Sequence, residues 1–266
     1  MNHKKNIFLS LILAFSFSSS FAQVPNFDTT LASAAQGDAS AQRALGLMYA
    51  NGQGIKKDYA KAVEWFLKAA AQGDVDAQFN LGGMYANGQG VQKDDAKLVE
   101  WYSKAAAQGY APAQNNLGLM YANGLSVGQS YAKAVEWYSK AAAQGDADAQ
   151  FNLGLKYEYG QGVKKDYAKA VEWYSKAAAQ GDASAQNNLA VMYGYGQGVG
   201  QNTALANEWY LKAANNGNAM AQFNIGQSYL NGSSGLQKNR VQALNWLRKA
   251  ANNGHAQAKL MLAGLQ

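Results

Sequence analysis

The sequence predicts an all-α solenoid of stacked helical hairpins, and three observations carry that prediction. Trp65, Trp101, Trp137, Trp173 and Trp209 recur every 36 residues and Trp246 follows after 37, a regularity that marks one supersecondary unit copied in tandem. Each copy spaces its apolar residues with the helical period. Asp58, Asp94, Ser130, Asp166, Asn202 and Asn239 occupy one corresponding position, and all six are helix N-cap residue types although their flanks drift.

Taken from the start, residues 1–22 read as a secretory signal peptide. Lys4 and Lys5 precede an apolar run from Ile7 to Phe17, followed by Ser18, Ser19 and Ser20. Small residues at Ser20 and Ala22 place the cut after Ala22, and the run is shorter than the ~20 residues of a spanning helix. No cysteine follows it, so a lipid anchor is excluded and a soluble periplasmic or secreted protein is expected. Residues 23–36 form an N-terminal extension in which Thr29 to Gln36 matches only the end of a second helix. Six complete units occupy 37–253, and 254–266 matches only a first helix, so the half-units are expected to cap the stack.

The unit from Gly73 to Gln108 shows the physics. Asp74 caps a first helix, and Ala77, Leu81 and Tyr85 lay an apolar stripe along about three turns. Gly88 and Gly90 stop it, since glycine takes the left-handed conformation of a helix end without steric cost. The second helix opens at Asp94. From the matching start in other units, Ala62, Trp65, Ala69 and Ala134, Trp137, Ala141 recur at i, i+3, i+7 and predict a buried stripe in which alanine allows close approach and tryptophan fills the space beside it. Glu64 with Lys68, Glu136 with Lys140 and Glu172 with Lys176 are i, i+4 pairs expected on a solvated face. One hairpin buries too little to offset its ordering entropy, so single units are expected to be unfolded alone.

Composition narrows the function. The formal charge is +6 and falls to +4 without Lys4 and Lys5. Because lysines recur beside glutamates in the units rather than along one stripe, a nucleic-acid partner is not expected. The chain has no cysteine, so no disulfide supports it in an oxidising compartment; hairpin stacking must suffice.

The pattern A-Q-x-N-L-G-x-M-Y-x-N-G-x-G-V-x-x-D-x-x-K-A-x-x-W-Y-x-K-A-A-x-Q-G resembles the Sel-1-like repeat, a relative of the tetratricopeptide repeat with a longer loop between its helices. Ala149 to Tyr157 with Gly160, Gly162, Val163, Asp166 and Trp173 keeps nearly every family position. The resemblance implies an α/α right-handed superhelix, a concave wall lined by first helices, and a role as adaptor or scaffold. Two loops depart from the pattern: Leu125 and Ser126 replace Gln-Gly, and Gly232-Ser233-Ser234-Gly235 has an inserted residue. Both are expected to differ in local shape.

Catalysis finds little support. After the leader the single histidine is His255, at a helix-start position, and a nucleophile-base pair needs more than that. Cys/His zinc sites fail by count, and Asp74 with Asp76 or Asp94 with Asp95 lacks calcium-loop spacing. Asn51-Gly52-Gln53-Gly54 lacks the lysine and flanking strand of a phosphate loop. Some cysteine-rich relatives carry penicillin-binding or β-lactamase descriptions; the paired cysteines are missing here, and neither that activity nor a cofactor is expected.

The candidate partner surface lies on the first helices. Asn80, Asn116, Asn152, Asn188 and Asn224 form one column, offering amides to a partner's backbone or else bonding to the next hairpin's backbone. Arg43, Phe79, Asn115, Phe151, Asn187 and Phe223 form the adjacent column, with a phenylalanine in every second unit as a spaced anchor or as packing between first helices. A third column, Leu47, Gly83, Leu119, Leu155, Val191 and Gln227, varies, as does Lys156 in place of a methionine. The leading expectation is a noncatalytic, monomeric scaffold of the bacterial envelope holding one protein partner. The alternatives are a periplasmic immunity protein that masks a secreted effector such as a lipase, and an enzyme acting on β-lactam or cell-wall substrates.

Overall fold

Helix starts and stops alternate along the chain as capping chemistry dictates. The computed structural model describes residues 26–233 and 235–265, so the leader, its cut after Ala22 and Ser234 lie outside the described residues. Fourteen helices occupy the described residues. A single α1 (Phe27–Ala35) precedes first helices α2 (Ala39–Asn51), α4 (Val75–Asn87), α6 (Ala111–Asn123), α8 (Ala147–Tyr159), α10 (Ala183–Tyr195) and α12 (Ala219–Asn231), which alternate with second helices α3 (Tyr59–Ala71), α5 (Asp95–Ala107), α7 (Tyr131–Ala143), α9 (Tyr167–Ala179), α11 (Thr203–Asn215) and α13 (Arg240–Asn252); α2 with α3, α4 with α5, α8 with α9, α10 with α11 and α12 with α13 pack as hairpins. A single α14 (Ala256–Gly264) follows. The chain is an all-α repeat solenoid, resolved into two compact units divided after Ser130; α1 to α6 pack consecutively in one and α7 to α14 in the other. No described helix is long and apolar enough to cross a membrane.

The caps act as expected. Asp58, Asp94, Asp166, Asn202 and Asn239 each accept the backbone N–H three residues on, all at 3.0 Å. Every first helix from α2 to α12 ends on a left-handed glycine, Gly88 among them at φ 65°. The second loop glycine has a separate reason to be small: a Cβ on Gly90 or Gly162 would overlap the backbone carbonyl of Tyr59 or Tyr131, where the preceding second helix begins. The loop bearing Leu125 and Ser126 corrects the expectation of a different shape. Ser126 holds φ at 59°, and Leu125 N–H bonds to the Met120 carbonyl at 2.9 Å, as Gln89 does to Met84 at 3.0 Å. Serine is forced into the glycine conformation at a steric cost. The loop with the insertion does differ, adding a turn in which Leu236 N–H bonds to the Ser233 carbonyl at 3.0 Å.

The core corrects the sequence reading at the tryptophans. Ala62, Ala69, Ala134 and Ala141 are fully buried, but Trp65, Trp101, Trp137, Trp173 and Trp209 are only half-buried, and Trp246 alone is buried at 8 % exposure. The deepest large side chain is the next residue: Phe66, Tyr102, Tyr138, Tyr174 and Leu247 are at most 1 % exposed. Phe66, Tyr102, Tyr174 and Leu247 lie against a glycine of the first helix. A Cβ on Gly46 would fall 2.7 Å from the Phe66 ring, on Gly154 2.6 Å from Tyr174, and on Gly226 2.9 Å from Leu247. Where Ala190 takes the glycine's place, Tyr210 is only half-buried. The indoles lie at the flank, where a lysine three residues on covers each ring, from Lys68 over Trp65 at 3.8 Å to Lys249 over Trp246 at 4.2 Å. Lys104, Lys140 and Lys176 also pair with Glu100, Glu136 and Glu172 at 2.6, 2.9 and 2.7 Å, on the exposed face expected for them.

Successive hairpins are joined by buried glutamines. Gln42, Gln78, Gln114, Gln150, Gln186 and Gln222 are 3–5 % exposed. Each donates to a carbonyl near the end of the preceding second helix, as Gln150 Nε2 does to Ala142 at 3.2 Å. The Gln150 Oε1 in turn accepts from Gln180 Nε2 at 2.9 Å, and Gln180 Nε2 also reaches the Gly145 carbonyl at 2.9 Å. One side chain thereby satisfies groups from both neighbouring helix ends.

Two stability outcomes follow. Gly82→Ala places a methyl inside the Tyr102 ring and is expected to cost about 1–3 kcal/mol by urea denaturation, the range for overpacking; unchanged stability would show that the ring yields freely. Gln150→Leu keeps the bulk but removes one bond to the Ala142 carbonyl, which still accepts Gly145 N–H, and one from the Gln180 amide, which still reaches the Gly145 carbonyl, costing about 1–3 kcal/mol in the same assay. A neutral result would mean that the ladder contributes nothing.

Candidate functional site: the outward face of the first helices

Each first helix turns one side to its own hairpin and leaves the other uncovered. On α8 the buried positions are Ala149, Gln150, Leu153 and Gly154; with 100° per residue the opposite side carries Asp148, Leu155 and Tyr159, with Phe151 and Asn152 on its borders. The three variable columns fall on this side. Their side chains are mostly half-buried.

The structure assigns the asparagine column inward partners. The Asn116 amide hydrogen-bonds to the Tyr102 hydroxyl, Asn188 to Tyr174 and Asn224 to Tyr210. The partner is therefore a phenol of the preceding second helix, neither of the two partners expected. Burial drives the Tyr102 and Tyr174 hydroxyls well above the usual phenol range, and beside Tyr174 the Glu158 carboxylate acts in the same direction. Asn152 is also engaged within the fold. Asn80 has no such phenol before it, because Phe66 stands where repeats two to five carry tyrosine.

The phenylalanine column also joins hairpins. Phe79 stacks on Tyr102 at 5.2 Å and meets Tyr110 edge-on at 5.3 Å; Phe151 lies 5.8 Å from Tyr174. Phe223 is buried at 7 % exposure and stacks on His255 at 4.3 Å, and Asn115 is buried at 6 %. These two offer little surface to a partner, which corrects their place among the candidates; the ring or amide is consumed inside the fold. Phe79, Phe151, Asn187 and Asn188 remain partly open.

Charged members of the surface are held in place. Arg43 Nη1 lies 2.5 Å from Asp76 Oδ2, and its Nε lies 3.2 Å from Asp74 Oδ2, close enough for ion pairing though not aligned as a hydrogen bond. Burial and the Asp76 carboxylate push the neighbouring Tyr110 hydroxyl up to about 12. Lys156 occupies the position at which Met48, Met84, Met120 and Met192 are buried. Its ammonium escapes by donating to Gln161 Oε1 at 2.7 Å and resting 4.7 Å from the Tyr131 ring centroid, and its partial burial lowers its pKa.

Two surface residues escaped the sequence reading. Tyr159 and Tyr195 are 61 % and 74 % exposed. They replace the asparagines at 51, 87, 123 and 231, so the departure was visible in the repeat alignment. His255 caps α14, accepting Ala258 N–H at 3.2 Å, and the described residues contain no group of three or more His, Cys, Asp or Glu able to hold a metal.

Comparison with known proteins places this geometry. The Sel1 repeat profile matches residues 39–74, 75–110, 111–146, 147–182, 183–218 and 219–255, each span covering one first and one second helix. The chain belongs to the Sel1 repeat family, whose members are generally protein-interaction scaffolds. It is similar to the crystal structure of a Sel1 repeat protein from Oxalobacter formigenes, with 39 % identity over 81 % of this chain and 86 % of that one at a TM-score of 0.75. A protective antigen present in uropathogenic Escherichia coli strains is 38 % identical over 90 % of this chain at a TM-score of 0.68, and the match spans 59 % of that longer chain. An immunity protein of Pseudomonas aeruginosa shares the fold alone, at 21 % identity over 82 % of each chain and a TM-score of 0.52. No curated protein matches the chain.

The asparagine column yields a direct test. Asn116→Ala removes the partner of a buried hydroxyl and is expected to lower stability by about 1–2 kcal/mol, whereas Asn80→Ala, with no phenol to serve, stays within about 0.5 kcal/mol. Equal effects in thermal melts would overturn the phenol assignment.

Proposed function

We propose that the protein is a noncatalytic interaction scaffold of the bacterial cell envelope that holds a protein partner against the outward face of its first helices. One observation carries this reading: that face is where the repeats stop being alike. The buried positions repeat almost unchanged through Ala77, Gln78 and Leu81 and their counterparts, while the outward column runs Leu47, Gly83, Leu119, Leu155, Val191, Gln227. Stacking sets the first group. A surface that differs from unit to unit gives each stretch its own chemistry, which is what recognition of one segment requires.

The leader brings this function to the envelope. Export and cleavage after Ala22 are part of the proposal, as is the absence of enzymatic turnover, supported by the lone His255 in a capping role.

A photo-crosslinking amino acid at Leu155 in intact cells, compared with one at Lys133 on a second helix, tests the reading. Mass spectrometry should find one defined protein adduct at Leu155 and none at Lys133, on a chain beginning at Gln23. Equal labelling at both positions, no adduct, or a retained leader would overturn it. Turnover of a chromogenic lactam or of peptidoglycan by the purified protein would overturn its noncatalytic part.

A further inference from the structure

We infer that the outward face of repeats four and five, on α8 and α10, is the docking surface for an arginine-bearing segment of the partner, running between the Asp148 carboxylate and the exposed rings of Tyr159 and Tyr195. This rests on the scaffold reading and gives it a chemistry.

The first support is the aromatic pair. A tyrosine more than half exposed, in two consecutive repeats, at a position given to asparagine elsewhere, offers a rigid amphipathic surface that loses little side-chain entropy on contact. Neither stacking nor capping needs it, because Gly160 and Gly196 end these helices as their counterparts do elsewhere.

The second support is unbalanced charge. At the other end of the same helices stand Asp146, Asp148 and Asp182. The carboxyls of Asp146 and Asp182 are raised by burial and further by the Asp148 charge, and no Lys or Arg of the described residues pairs with any of the three. Near the tyrosines lies Glu158, whose Oε2 accepts the Tyr174 hydroxyl at 2.5 Å and whose charge also acts on Tyr159. Of the nearby cations, Lys156 is engaged with Gln161 and the Tyr131 ring, while Lys165 lies over the Tyr167 ring at 4.4 Å and its charge also reaches Tyr159, opposing that of Glu158.

The chain itself shows what completes such a surface. Asp74 and Asp76 hold the positions in repeat two that Asp146 and Asp148 hold in repeat four, and there the Arg43 guanidinium sits on both. The residues 72 and 108 positions on from Arg43, which stand one repeat before Asp146 with Asp148 and one repeat before Asp182, are Asn115 and Phe151, neither of which brings charge. A guanidinium from a partner fills the role that Arg43 fills internally, and a second cation fits over the tyrosine faces as lysines do over Tyr59 and Tyr167 at 4.4 Å. The eleven residues from Asp148 to Tyr159 span roughly 16 Å of helix, matched by about five residues of extended chain. The recognised segment therefore carries two basic residues about five apart.

The test uses a fluorescein-labelled peptide with two arginines five residues apart in an otherwise Gly/Ser sequence, titrated with the full protein and followed by anisotropy. Saturable binding is expected, weakened about tenfold by Tyr159→Ala with Tyr195→Ala and about two- to fivefold by Asp148→Asn. A glutamate version of the peptide should not bind, and all variants should keep their circular dichroism. The inference is overturned by no saturable binding, by equal binding of the glutamate peptide, or by unchanged affinity in both variants. A crosslinked partner at Leu155 together with a non-binding arginine peptide would reject the basic segment and leave the scaffold standing; failure of crosslinking alone would reject the scaffold reading.

Discussion

The fold depends on one polar constraint inside an apolar stack: the helix-end carbonyls at the junctions between hairpins lie buried, each holding the N–H of its own turn glycine and leaving a second lone pair for the neighbouring hairpin. A glutamine in each repeat from Gln42 to Gln222 answers it with its amide N–H on the preceding helix end, and the carbonyls of Gln42, Gln78, Gln150, Gln186 and Gln222 receive the glutamine or asparagine that closes their own second helix. Apolar burial alone would allow neighbouring helices to slide, since dispersion has no direction. The amide fixes their register because both of its ends must find partners at once. The series stops at Lys259, which stands where the next glutamine would fall and is exposed on α14. An ammonium cannot accept the closing bond, so α14 does not continue the ladder at this position.

Packing around that constraint explains which side chain goes deepest. A glycine on α2, α4, α8 and α12 removes the one Cβ that would hold the helices apart, and a flat ring or a leucine slides into the gap. The sequence pattern reported which face of the second helix is apolar. It did not report depth, because Trp and the residue after it lie 100° apart on the same broad stripe and both are large. Depth follows from the opposing glycine, as the shallower Tyr210 opposite Ala190 shows. Period, helix starts, left-handed stops and family were legible because each is a local requirement repeated six times. Ser126 was misread for the converse reason: six-fold repetition of the surrounding contacts imposes the backbone on a residue that does not prefer it.

The candidate surface was less legible because the same positions serve two purposes. Asparagines that looked like free amides are bound to phenols one helix away, an interaction at a separation of 14 residues that no short-range pattern reveals. The phenylalanines that looked like anchors meet the tyrosines of those same second helices. What distinguishes a surface anchor is departure from the repeat without a compensating change opposite it. Tyr159 and Tyr195 meet that criterion; Phe223, buried against His255, does not.

Repeat four concentrates such departures. Within α8, Lys156 replaces a buried methionine, Glu158 replaces an alanine that is 4 % exposed as Ala50 or Ala86, and Tyr159 replaces an asparagine. The first two place charges at positions that are apolar in most other repeats, where each loses hydration and must be partly restored by Gln161 and Tyr174. A repeat selected only for stacking would have kept methionine and alanine. The three changes share one end of one helix, and their joint effect is to turn a sealed edge into a polar, aromatic one, at the opposite end of α8 from the Asp146 and Asp148 carboxylates. Local rules broken together without structural gain mark a place where the sequence answers to something outside the fold.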